Sequence, residues 1–192
     1  NSNSNVSSGS TILSMGGICG KKEGNITSST LTSSNLMARG DYINNVNCGG
    51  IVGFNESKTP ISKCVVDDCS IYSRSGIQTS DYVHFAYAGG IVALTNEGNV
   101  ENCLVKDIDG NERNEKEGRI ISLARGTEGN RNLASCAGGL VGFIEGVSSK
   151  IITSVAFDVA TTKSNYAILN GAAPADNIRE RCGILIGFFY MN

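Results

Sequence analysis

The amino-acid sequence predicts an all-β chain: a parallel β-solenoid (β-helix) of about four to five coils with long excursions on one side. Three observations carry this expectation. A Gly-Gly-aliphatic-aliphatic-Gly core recurs at residues 16–20, 49–53, 89–93 and 138–142 and, degraded, at 183–187. A second apolar segment follows three of those cores in gapless alignment: 61–69, 100–108 and 151–159. The composition, with 24 glycines, 2 prolines and no Trp in 192 residues, suits short strands and turns. Self-similarity at intervals of a few tens of residues marks a solenoid, a propeller or an array. Short Val-, Ile- and Thr-rich strands repeated in one order favour stacked coils, because no coil buries its apolar face alone.

Taken in order, residues 1–15 are a polar, low-complexity N-terminal segment and residues 16–192 carry the repeats. The first core is followed by a weaker, polar second segment from Ile26 to Ser34. In the second core, strand alternation places Val52 and Phe54 on one face and Ile51 on the other. Both faces are then apolar, so both are expected to be covered, the outer one by excursions or a partner chain. The glycines beside Ile51 would leave room for that approach. The connections between repeats are unequal: 35–47, 73–87, 109–136 and 160–181. All four fall at the same point of the repeat and are expected to emerge on one side, the expected functional face. The final core stops at Asn192 without its second segment, which reads as a piece of a longer protein.

A net charge of −2 with 18% charged residues is not the basic footprint of a nucleic-acid binder. No stretch is long and apolar enough to insert into a membrane as a helix. A surface supplied by Asn, Ser and Thr points to an extracellular or cell-surface setting. No signal peptide opens the sequence, so any targeting segment is removed or lies outside it.

The Gly-Gly-Ile-Val-Gly-Phe core followed by Ile-x-x-Cys-x-Val resembles the GLUG-motif repeats of bacterial surface and adhesin-like proteins and of non-catalytic regions of secreted peptidases. The resemblance covers the anchors from Gly16 to Gly187 but not the excursions. Ala93 and Ile184 depart from its glycines. It implies an extracellular β-helix-like module and brings no catalytic residues.

Seven cysteines stand at 19, 48, 64, 69, 103, 136 and 182, without zinc-ligand spacing. Cys64 and Cys103 share a repeat position with Ser154. A disulfide is geometrically conceivable there, but a buried column of small side chains is the preferred reading. Asp68, Asp107 and Asp158 also align. They are either a carboxylate column that calcium would relieve or, preferably, turn residues bonding their own backbone. No other cofactor is expected. The run 107–111 starts like a calcium loop but fails as an EF-hand, since Gly118 stands where the bidentate Glu belongs.

Arg39-Gly40-Asp41 spells an adhesive tripeptide. His84, the only histidine, sits between apolar neighbours and is expected to pack rather than catalyse. Asp67 and Asp68 would diverge on a strand. Asn5, Asn25 and Asn55 begin glycosylation sequons, and 109–131 mixes both charges densely.

No catalytic residue is expected. The sequence points to a non-enzymatic stalk or adhesive module whose partners are a protein or glycan on a surface, with self-association through solenoid ends or the outer face. The alternatives are a carbohydrate-active β-helix working through Asp and Arg, and an accessory region of a secreted peptidase.

Overall fold

The computed structural model describes residues 11–76, 84–108, 120–125, 133–145, 149–159, 161–167, 179–183 and 186–190. Side chains are described as far as Ala156, with 125 and 133 excepted, and again at 186–187. Every element among these residues is a strand. The first coil holds β1 (Ile12–Gly16), β2 (Cys19–Lys22), β3 (Ile26–Thr27), β4 (Thr30–Thr32) and β5 (Asn35–Gly40). The second holds β6 (Asn45–Gly49), β7 (Val52–Asn55), β8 (Ile61–Ser62), β9 (Val65–Asp67) and β10 (Ser70–Ser75). The third holds β11 (His84–Gly89), β12 (Val92–Thr95), β13 (Val100–Glu101), β14 (Leu104–Ile108) and β15 (Ile120–Arg125). The fourth holds β16 (Leu133–Gly138), β17 (Val141–Glu145), β18 (Ile151–Ile152), β19 (Val155–Val159) and β20 (Thr161–Ala167). β21 (Arg179–Gly183) and β22 (Ile186–Tyr190) begin a fifth.

Equivalent strands of successive coils pair in parallel and, apart from a register shift between β15 and β20, in register, giving five sheets that run along the stack. This is the parallel β-solenoid that the repeats predict. Its unit is finer than two strands and a loop, because each full coil has five strands. The stack also opens at Ile12, ahead of the first glycine core.

In-register stacking turns the repeat into columns. Ile26, Ile61, Val100 and Ile151 form one, Leu31, Val66, Val105 and Ala156 another, and Leu36, Ile71 and Ile120 a third. These columns point inward to one continuous core. Each buried aliphatic side chain contributes roughly 1.5–3 kcal/mol of transfer free energy.

The expected excursions are partly strands. The segment 35–47 does not leave the coil: it holds β5, a tight turn at 41–44 and the start of β6. Segments 73–87 and 160–181 likewise contain ends of paired strands. The segment 109–136 contains β15, a paired strand of the third coil. All four connections nevertheless span the same point of the repeat, the passage from the fifth strand of one coil (β5, β10, β15, β20) to the first of the next (β6, β11, β16, β21), as the sequence predicts. The charged residues between 109 and 131 lie outside the described side chains.

The glycine cores form the sharpest corner. Ile51 and Val52 both enter the main core, whereas Phe54 joins a second cluster with Tyr87, Ala93, Leu94 and Cys136. This corrects the simple alternation. At the corner the N–H groups of Ile51 and Val52 both donate to the Ile91 carbonyl, at 3.0 and 2.9 Å. The register beyond the corner is constant, Val52 with Val92, Phe54 with Leu94 and Asn55 with Thr95, so the departure from alternation arises at the corner itself. The second cluster draws from the sheet of β6, β11 and β16 and from that of β7, β12 and β17, so these sheets meet across a notch outside the core.

The glycines make that meeting possible. A methyl group on Gly49, Gly89 or Gly138 would collide with the carbonyl of Val52, Val92 or Val141. One on Gly50 or Gly90 would collide with the carbonyl of the equivalent glycine in the next coil and with Val66 or Val105. One on Gly53 would strike the backbone of Met15. What lies against these glycines among the described residues is chiefly the chain's own backbone.

Candidate functional site

Two other corners of each coil are turned without glycine. Ser28, Lys63, Asn102 and Thr153 form one left-handed column and Ser33, Asp68 and Asp107 a second, with φ between 45° and 56°. That conformation costs roughly 1–2 kcal/mol in an ordinary residue. It also lets the corner keep its intercoil hydrogen bonds. Lys63 N–H donates to Glu101 O at 3.0 Å, Asn102 N–H to Ile152 O at 2.9 Å and Ser33 N–H to Asp67 O at 3.0 Å.

After every left-handed position but Asp107, which Ile108 follows, the next residue turns its side chain back onto the carbonyl two residues earlier. Cys64 does so to Ser62 at 3.3 Å, Cys69 to Asp67 at 3.1 Å, Cys103 to Glu101 at 3.4 Å and Ser154 to Ile152 at 3.0 Å. Thiol and hydroxyl therefore exchange at this position because each is a small donor. Cys64 and Cys103 are buried and free. Cys103 is pushed up in pKa by its hydrogen bond with Cys64 and by burial. Burial pushes the Cys48 thiol up to about 12. Cys48 and Cys103 are therefore protonated packing groups at neutral pH, whereas the hydrogen bond with Cys103 pulls the Cys64 thiol down.

The aspartate column falls on the second left-handed corner. Asp68 accepts a hydrogen bond from Ser33 Oγ at 2.9 Å. Lys106 Nζ lies 2.8 Å from Asp107 Oδ2 and 2.9 Å from Asp67 Oδ2. The hydrogen bond from Lys106 holds the Asp107 carboxyl below the usual carboxylate range. Carboxylate repulsion is thus met by a lysine of the chain. The side chain of Asp158 lies outside the described residues. Among the described residues no three His, Cys, Asp or Glu side chains are grouped to hold a metal ion.

The tripeptide 39–41 ends β5 and enters the following turn. Arg39 Nε lies 3.1 Å from Asp41 Oδ1, and Arg74, in the equivalent strand of the next coil, also bonds that carboxylate. Asp41 therefore bridges two coils and is engaged by both arginines, while Arg39 remains half exposed. Burial alone would raise the Asp41 pKa, but the two guanidinium groups together leave it below its ordinary value.

Beside this corner runs a buried polar seam. Ser73 Oγ donates to Val46 O at 2.7 Å and Ser75 Oγ to Ile43 O at 2.5 Å. His84 Nδ1 lies 3.1 Å from Ile43 O and 3.2 Å from Ser75 Oγ. Burial pushes the His84 pKa down, against that carbonyl contact. A packed neutral imidazole agrees with the sequence expectation.

The chain matches no protein-family model, no curated protein and no solved structure.

Several features escape sequence reading. Phe85, Tyr87 and Phe143 stack along the notch, with ring centroids 6.3 and 4.8 Å apart. Asn55, the third sequon asparagine, is buried and bonded to Thr95 Oγ1 at 3.0 Å, so its amide is closed to glycosylation in the folded chain. Asn25 is exposed, and Asn5 lies outside the described residues. Lys22 is fully buried in the same column as Asn55 and Thr95. The spacing from the last position of each core, Gly20, Gly53 and Ala93, aligns these three residues and could have marked them.

Proposed function

We propose that the chain is an extracellular structural or adhesive β-solenoid module of the kind the GLUG-motif resemblance implies, serving as a surface stalk, a filament segment or a host- or glycan-binding segment. The observation that carries this reading is the use made of polar side chains. Lys21–Glu56 at 2.6 Å, Lys106–Asp67 at 2.9 Å, Arg74–Asp41 and Asn55–Thr95 each tie one coil to the next. A stack so joined resists bending and separation of its coils, which is what a stalk requires.

Self-association through the solenoid ends is supported at the first coil. Among the described residues its strands are paired on one side only, and Ile12, Ile18, Met37 and Tyr42 are exposed there. Unpaired strand edges with apolar neighbours are templates for further pairing.

The carbohydrate-active reading draws on the convergence of Asp41, Arg39 and Arg74 at one corner. Polysaccharide cleavage by the purified chain, lost in Asp41→Asn, would favour that alternative over the stalk.

The test is binding of the purified chain to a broad glycan array, with calcium and then with EDTA, alongside its size in solution as a function of concentration. Specific binding makes it a recognition module, and loss in EDTA assigns a cation to Asp68, Asp107 and Asp158. Concentration-dependent growth without glycan binding makes it a filament segment. A monomer that binds nothing contradicts both the adhesive and the filament readings.

A further inference from the structure

We propose that Lys22 and Asn55 form an intramolecular amide bond that covalently ties the first coil to the second. Lys22 stands at the end of β2 and Asn55 at the equivalent place in β7. Lys22 Nζ lies 3.3 Å from Asn55 Oδ1, 2.7 Å from Thr59 O and 2.9 Å from Thr59 Oγ1. All three partners are neutral, and the side chain is buried. An ammonium enclosed without a counter-charge is costly, and losing its proton removes the cost. Burial accordingly pushes the Lys22 pKa down. A desolvated amine is the activated form of this nucleophile.

Asn55 is the matching electrophile. Its Oδ1 accepts from Ser57 N–H at 3.1 Å, a donor that polarises the carbonyl and would stabilise negative charge developing on that oxygen, while the contact from Lys22 brings the amine to the same carbonyl. Its Nδ2 is held by Thr95 Oγ1 at 3.0 Å and Glu97 O at 2.5 Å, which fixes the amide plane and the leaving group. With Nζ 3.3 Å from Oδ1, the amine is held beside the carbonyl it would attack, so positioning replaces a bimolecular encounter.

In the reaction the Nζ–Cγ bond forms and the Cγ–Nδ2 bond breaks. One proton from Nζ passes to Nδ2, which departs as ammonia. No oxidant, reductant or co-reactant enters. Thr59 Oγ1, itself hydrogen-bonded to Ser57 Oγ at 2.7 Å, is placed to relay the proton from Nζ. In the later coils the position is Thr95 and then Ile144, so among the described coils the chemistry is confined to the junction of the first two.

The experiment is intact-mass spectrometry of the full chain after incubation in mildly alkaline buffer, followed by digestion under denaturing conditions. The expected result is a mass lower than the sequence mass by one ammonia, with a branched peptide joining the fragments that contain residues 22 and 55. Lys22→Met should carry its full sequence mass and yield only linear peptides. A wild-type chain at full mass with Lys22 in a linear peptide overturns the proposal. So does an ammonia loss that persists in Lys22→Met or maps to another asparagine.

Discussion

The two kinds of corner in each coil solve the same problem in opposite ways. At the Gly-Gly corner the constraint is space, because backbone presses on backbone and a single methyl group would collide. At the left-handed corners the constraint is conformation, yet Ser, Thr, Asn, Asp and Lys fill those positions and glycine does not. Among the described glycines only Gly76 and Gly98 have positive φ, and neither belongs to a core. Glycine in this chain is therefore chiefly a device for close approach. A collision between backbones rises steeply, whereas a left-handed residue costs a bounded amount that its ladder hydrogen bonds offset.

The largest effect should come from filling the first kind of corner. Gly49→Val places a branched side chain against the Val52 carbonyl, and we expect loss of a cooperative unfolding transition, checked by circular dichroism during thermal denaturation. Next in size is the ion pair at the turn between β5 and β6. Asp41→Asn leaves the buried Arg74 guanidinium without its carboxylate, at a cost of about 2 kcal/mol once the partial exposure of Asp41 is discounted. Urea unfolding of the variant measures it, and an unchanged midpoint would mean that solvent already satisfies Arg74.

A smaller effect is expected from pH. The folded-state pKa of His84 lies below its ordinary 6.5, so the unfolded chain takes up its proton first as pH falls. The stability that His84 contributes is fully present above about 6.5 and is lost as pH falls through the folded value, with a slope of at most ~1.4 kcal/mol per pH unit. His84→Gln should flatten the pH dependence of the unfolding free energy in that window. A slope unchanged by the substitution would place the titrating group elsewhere.

The same contrast explains how much of the fold was legible. Gly49-Gly50 and its repeats are conspicuous because no other residue fits, so the coil count and the parallel stack followed from them. The columns headed by Lys63 and Asp68 are quiet because several residue types tolerate the turn, and with them went three of the five strands per coil. Strands of two or three residues such as β3 and β4 carry too little alternation to be read. The alternation argument failed at Phe54 because it assumed an unbroken strand through a corner where two N–H groups share one carbonyl. At the candidate site, the burial of His84 and the alignment of Cys64, Cys103 and Ser154 were readable from their neighbours. The pairing of Asp41 with Arg74 was not, since it depends on register between residues 33 apart. Lys22 was hidden by its type, because lysine is read as surface unless a partner is in view.

The most direct test of the account sets one corner against the other. Gly90→Ala and Asn102→Gly are each compared with the parent chain by equilibrium urea unfolding. A loss of about 3 kcal/mol or more is expected for Gly90→Ala, which overpacks a backbone contact, and a change within about 1 kcal/mol for Asn102→Gly, which relaxes a left-handed residue. Equal effects, or a larger one at Asn102, would contradict the claim that the glycine repeat encodes space rather than backbone conformation.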